Sequence, residues 1–245
     1  MIRRLHTPTL FIGDVPLDPT QARHARDVLR LEEGTEVEVF DNAGDTASGT
    51  LRFRGSRDAF VRVEQINASD PSLGLRLTIA SAVPKGERAD WMVEKLSELG
   101  VSAFIPLATE RSVVKPEGKN KYERWTRIAT ESAKQSRRAG VMRIEELRPV
   151  RGVVREGANA LYLSTAPAVV PLVEVMPSPS DNTELTLLIG PEGGWTNAEV
   201  EWFESFGIRG VKLTATILRV ETAAIAAAAI AMSRAARQVT AEIDP

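Results

Sequence analysis

Apolar and polar residues alternate in short runs over roughly the first 70 positions, then give way from Leu75 onward to apolar runs interleaved with helical periods. Residues 35–40, 48–53 and 59–66 place every second side chain on one face, the period of a half-buried strand, and Asp, Asn and Gly punctuate them. They predict a small, mainly β module folded as a compact barrel or half-barrel. Asp18-Pro19 supplies an N-cap and a first-turn proline for a helix running to Leu31 and stopped before Gly34. On that helix Arg23, Arg26 and Arg30 fall at i, i+3 and i+7, predicting three guanidinium groups on one face. Asn67 to Gly74, with Asp70-Pro71 inside it, reads as a linker.

The second texture predicts strands at 75–82, 102–107, 160–165, 184–190 and 211–213. Helices are expected at 87–99 (closed by Gly100), 122–138, from a Thr196/Glu199 capping box to Gly207, and from Val220 to about Gln238. Strand–helix alternation of this kind builds an α/β domain with a parallel sheet, whose ligands sit at the C-terminal ends of the strands. The alanine-rich run 223–232 reads as a buried helix, too short and too weakly apolar to span a bilayer. Trp91 and Trp125, at helical spacing, are expected in the core, with stacking on nucleic-acid bases as the alternative.

Composition narrows the chemistry. With 43% hydrophobic and 26% charged residues the chain is of ordinary globular make-up. It has no cysteine and only His6 and His24, which excludes disulfides and thiolate chemistry and leaves no metal site to expect. The first residues lack the apolar core of a signal peptide, so a cytoplasmic protein is expected. Net charge is −2, but sixteen basic residues stand against ten acidic ones between 85 and 155, a local charge of +6. A phosphate-facing surface fits that segment, and so do solvated helix faces.

Two βα junctions hold candidate chemistry. Ile189-Gly190-Pro191-Glu192-Gly193-Gly194 joins a buried strand to a capped helix, and its glycines permit close backbone approach to a ligand; it is neither a dinucleotide fingerprint nor a P-loop. The run 213–223 gathers Arg219, Glu221 and Thr222 at a helix start. Capping alone explains Glu221 or Thr222 there, and a ligand site explains all three.

Segments 24–31, 85–88, 94–101, 109–112, 124–125, 135–138, 189–194 and 217–223 occur in an order that resembles the RsmE family of SPOUT methyltransferases over nearly the full length. The resemblance implies a PUA-like RNA-binding domain over residues 1–70 and, over 75–245, a SPOUT-type parallel-sheet domain tied in a trefoil knot. It implies a homodimer, S-adenosyl-L-methionine as methyl donor, and methylation of a uridine N3 in the decoding region of 16S ribosomal RNA, within the small ribosomal subunit.

By motif match the donor site is Leu163, Ser164, Thr165, Ile189, Gly190, Pro191, Gly193, Gly194, Leu213, Ile217, Leu218 and Thr222. Arg219 is the candidate anion stabiliser, and Glu192 and Glu221 are the candidate bases. Arg23, His24, Arg26, Arg30, Lys85, Arg88, Arg111 and Arg138 are the candidate RNA contacts. The chain departs from the family where Leu-Gly-x-Arg is usual and it reads Leu213-Thr214-Ala215-Thr216. That change sets a β-carbon near the donor loop, removes one cation, and keeps open an alternative: a non-catalytic ribosome-assembly factor with the same fold.

Overall fold

The computed structural model describes residues 2–55, 58–69, 74–116, 118–176 and 183–241, with side chains as far as Arg234. It divides into two compact units, residues 1–70 with 130–141, and residues 71–129 with 142–245.

The first unit is a five-stranded sheet. Its elements are β1 (Arg3–His6), β2 (Gly13–Pro16), α1 (Pro19–Arg23), β3 (Glu36–Phe40), β4 (Thr46–Arg54) and β5 (Asp58–Val63). The sheet order is β1-β3-β4-β5-β2, with β1 parallel to β3 and the other pairs antiparallel. Alternation sends Val37, Val39, Ala59, Val61 and Val63 into one core with Leu5, Val15 and Leu51. At Gly49 a β-carbon would stand 2.5 Å from the Arg62 carbonyl oxygen, so the closely paired β4 and β5 admit only glycine there. The four-residue β1 and β2 lack the alternation that marks the other three strands, and sequence reading passes over them.

Asp18 caps α1 as expected, its Oδ1 accepting from the Thr20 and Gln21 amides. The helix does not run on to Leu31. It widens into a π-helical turn over His24–Val28, with the Leu29 amide donating to the His24 carbonyl at 2.9 Å, and Arg30 leaves with φ of 51°. Five-residue hydrogen bonding rotates every later side chain away from 3.6-residue spacing, so the α-helical ridge of Arg23, Arg26 and Arg30 is not formed. Arg26 instead lies over the Phe53 ring, 4.5 Å from its centroid.

The turn after β3 is organised by Asp41, which is 4% exposed. Its Oδ1 accepts from the amides of Ala43, Gly44 and Asp45 at 2.9–3.1 Å, and its Oδ2 accepts from Leu10 at 3.2 Å. Asp41→Ala strands buried donors that a carboxylate now satisfies and should destabilise this unit by about 3 kcal/mol. Asp41→Asn, which keeps Oδ1, should cost less. Urea unfolding of both variants tests this, and equal midpoints for Asp41→Ala and the parent chain would sink it.

The second unit is the expected α/β domain. In chain order it comprises β6 (Leu75–Ser81), α2 (Glu87–Glu98), β7 (Ala103–Ala108), α3 (Lys119–Ser136, whose residues from 130 group with the first unit), β8 (Arg143–Ile144) and β9 (Arg148–Pro149). There follow β10 (Ala160–Leu163), β11 (Val170–Pro171), α4 (Leu172–Val175), β12 (Thr183–Ile189), α5 (Asn197–Ser205), β13 (Arg209–Lys212) and α6 (Val220–Ala241). The strands order as β11-β13-β10-β12-β6-β7-β8, with β9 beside β7, and all of these pairs are parallel.

The buried alanines Ala224, Ala227, Ala228 and Ala231 sit at i, i+3, i+4 and i+7 of α6, a stripe of small side chains that lets the helix lie close over α2 and β6. Trp125 is fully buried and donates Nε1–H to Asp90 Oδ1 at 2.8 Å. Trp91 departs from expectation: it is 47% exposed. Part of the predicted linker, residues 70–73, lies outside the described residues, and Asn67 before it pairs with Thr46 in a β-bridge. No described helix is long and apolar enough to cross a membrane.

Candidate active site

Because β12, β10 and β13 are neighbours in a parallel sheet, the loops that leave their C-terminal ends meet on one edge. Residues 163–167, 189–195 and 212–220 line one cleft of about 1030 Å³, together with Arg111 and Ala223. This is the size of a pocket that takes a nucleoside-sized ligand.

Trp195 fastens the first loop to the second. Its Nε1–H donates to the Leu163 carbonyl at 2.8 Å, and its indole lies so close to Gly190 that a β-carbon there would be 2.9 Å from the ring. The indole is edge-on to Phe203, with centroids 4.9 Å apart, and Phe203 stacks on Tyr162 at 4.5 Å. Tyr162 in turn packs against Gly210 of β13, where a β-carbon would be 2.9 Å from its ring. Burial, aided by the charge of Glu204, pushes the Tyr162 hydroxyl pKa up and keeps this support neutral.

The glycine loop is held from its other side by Arg111, whose Nη1 donates to the carbonyls of Gly193 (2.7 Å) and Trp195 (3.3 Å). Gly194, at φ 70°, closes a turn by donating to the Pro191 carbonyl. The expected Thr196/Glu199 capping box is present, and the buried Glu199 also accepts from the Glu110 amide, tying the segment after β7 to the start of α5. In the third loop Thr214 Oγ1 donates to the Thr216 carbonyl at 2.7 Å, so the two residues that depart from the family pattern brace one another.

The structure gathers eleven of the twelve candidate donor residues on this cleft: Leu163, Ser164, Thr165, Ile189, Gly190, Pro191, Gly193, Gly194, Leu213, Ile217 and Leu218. Thr222 instead faces a second cavity with Glu221. Of the candidate catalytic residues, Glu192 and Arg219 line the cleft and both are exposed. Glu221 is buried and paired with Arg88, Nη1 to Oε1 at 3.3 Å.

The candidate RNA contacts are distributed over both units. Arg23, His24, Arg26, Arg30 and Arg138 belong to the first, Lys85, Arg88 and Arg111 to the second. Arg111 is engaged with the glycine loop. Arg138 is partly buried, and desolvation pulls its pKa down to about 10, which leaves it charged near neutrality. Trp195 is, with Ala166, Pro167 and Lys212, among the cleft residues that sequence reading missed. Its one signal was an aromatic directly after the glycines.

The residues present suit a donor of the S-adenosylmethionine type. Residues of three loops line the walls, and at Gly190 a β-carbon would press on the Trp195 indole. Residues 71–232 match the family model of the RNA methyltransferase domain, and residues 17–64 match that of the RNA methyltransferase PUA domain. Fold and site therefore define a two-domain RNA methyltransferase with a SPOUT-type parallel sheet.

Ribosomal RNA small subunit methyltransferase E of Bacillus subtilis is 32% identical over 220 residues, covering 83% of each chain. The enzyme of the same name from Neisseria gonorrhoeae, solved bound to S-adenosyl methionine, superposes with a TM-score of 0.82 at 28% identity, covering 95% of this chain and 98% of that one. A Legionella pneumophila methyltransferase solved with S-adenosylmethionine gives 0.81 at 26%, with the same coverage. The chain belongs to the family of ribosomal RNA small subunit methyltransferase E.

Proposed function

We propose that this chain transfers a methyl group from S-adenosylmethionine to N3 of a uridine in the decoding region of 16S ribosomal RNA, working as a cytoplasmic homodimer on the small subunit. Residues 1–70 serve as the RNA-binding domain, and residues 75–245 as a knotted catalytic domain. The observation that carries the reading is the three-loop cleft with Arg219 at its rim. Names of the relatives and the donor-bound neighbours support an enzyme over the assembly factor.

When bound in the cleft, the donor supplies an electrophilic methyl group. Trp195, by linking Leu163 to the glycine loop, keeps two walls of the donor pocket in register. Uridine N3 carries an imide proton near neutral pH, so the chain must remove that proton and stabilise the charge left on the uracil oxygens. Arg219, exposed, lines the cleft, where its guanidinium can donate to such an oxygen. Glu192, exposed on the glycine loop, has access to the imide proton. Glu221, buried against Arg88, acts through its partner rather than as the base.

Methyl mapping of ribosomal RNA from a strain lacking this chain provides the test. Loss of one N3-methyluridine from small-subunit RNA, restored by the purified protein and donor on small subunits from that strain, is expected. An unchanged methylation map would refute the assignment.

A further inference from the structure

Four charged side chains line the donor cleft: Arg111, Glu192, Lys212 and Arg219. Arg111 is bound to the carbonyls of Gly193 and Trp195, and the uracil chemistry proposed above falls to Glu192 and Arg219. Lys212 has no part in either. It is the last residue of β13, half-buried, and in register with Pro171 of β11. On the other side of β13, Leu163 of β10 lies opposite Val211, and the Ser164 amide donates to the Val211 carbonyl at 2.8 Å. The first and third loops therefore leave neighbouring strands at one level, and Lys212 stands where the third begins. Among the described residues its ammonium has no hydrogen-bond or ion-pair partner. A half-buried ammonium on the wall of a cleft, with no carboxylate of its own, suits an anionic group brought by the ligand.

S-adenosylmethionine carries one anionic group, the carboxylate of its methionine end. We propose that Lys212 binds that carboxylate, so that the third loop offers an ammonium to the donor where it begins and a guanidinium to the uracil where it ends. The inference rests on the donor reading of the cleft. A carboxylate taken out of water needs charge-assisted hydrogen bonds, and a lysine packs its stem against its surroundings while the ammonium reaches the ligand. The alternative occupant is a phosphate of the RNA. Lys212 is half-buried at a strand end between β10 and β11, whereas Arg219 is exposed, and this favours the small ligand over the backbone of a polymer.

The experiment is calorimetry on the full chain without RNA, using S-adenosylmethionine and its decarboxylated form, which lacks only the carboxylate. The parent chain should bind S-adenosylmethionine about tenfold or more tightly than the decarboxylated donor. Lys212→Met keeps the stem and loses the charge. It should bind S-adenosylmethionine about tenfold more weakly and the decarboxylated donor as the parent does, so the preference disappears. Parental affinity for the decarboxylated donor also shows that the variant is folded with its cleft intact. Lys212→Arg should retain most of the preference, and Arg219→Ala all of it.

Equal affinity of the parent chain for the two donors would overturn the inference without recourse to any variant. So would a loss in Lys212→Met that is the same for both donors, which would give Lys212 a purely structural role. A preference abolished in Arg219→Ala and kept in Lys212→Met would hand the carboxylate to Arg219. Parental donor affinity in Lys212→Met, with the salt dependence of binding to an RNA oligonucleotide lower by about one unit of slope, would assign Lys212 to a phosphate. The donor titrations involve no methyl transfer. If Lys212 sets the preference and no methyl reaches small-subunit RNA, the proposed function fails and the carboxylate contact stands.

Discussion

Arg219→Ala is expected to slow single-turnover methylation of small subunits by about 10²- to 10³-fold, the usual cost of removing one donor to a developing oxyanion. Donor affinity should change little. The reasoning starts from position: Arg219 ends the third loop, immediately before α6, is exposed, and lines both cavities, where the charge of a deprotonating uracil would develop. Its interaction strengthens as N3 loses its proton, so the loss falls on the rate constant more than on binding. Arg219→Lys keeps the charge and loses the planar fork, and should recover only part of the rate. A normal rate constant at saturating donor with much weaker donor binding would move Arg219 into the donor pocket, and a normal rate with normal binding would remove it from the mechanism.

Legibility in the sequence followed how local each determinant was. The strands at 75–81 and 183–189 and the Thr196/Glu199 capping box were readable because a few neighbouring residues decide them. The two-residue strands β8, β9 and β11 and the single helical turn α4 carry no period long enough to detect. The π-helical turn at 24–28 was invisible for another reason: Ala22, Ala25 and Leu29 satisfy an α-helical pattern, and only packing decides that the turn widens.

The loops that meet at the cleft were picked out by motif, yet what holds them was not. Trp195 reaches Leu163 across 32 positions and Arg111 reaches Gly193 across 82, and no spacing rule reports such pairs. Glu221 shows the same limit. At a helix start it reads equally as a cap or a base, and its buried pairing with Arg88 lies 133 positions away, beyond the reach of any local pattern. Trp91 and Trp125 share one helical-spacing argument, and the fold buried one and left the other open.

Gly190→Ala is the substitution expected to damage donor binding most for the smallest change in chemistry. The added methyl would stand 2.9 Å from Trp195 Cε2, closer than real β-carbons come, and 3.2 Å from Nε1, a tight contact. A free side chain would swing aside. This indole has little freedom, since its Nε1–H is bound to the Leu163 carbonyl and its ring is set edge-on against Phe203 and Tyr162. Either the hydrogen bond between the first two loops breaks or the glycine loop retreats, and both outcomes deform the donor pocket. Overpacking of this kind costs about 1–3 kcal/mol, so calorimetry should find donor affinity lower by roughly ten- to hundredfold. Trp195→Phe alone makes room but gives up the bond to Leu163, and should weaken the donor more modestly. Combining the two should cost less than the sum of the single losses, because the smaller ring accommodates the methyl. Full additivity in that cycle, or parental donor affinity in Gly190→Ala, would show that the contact between Gly190 and Trp195 does not shape the donor site.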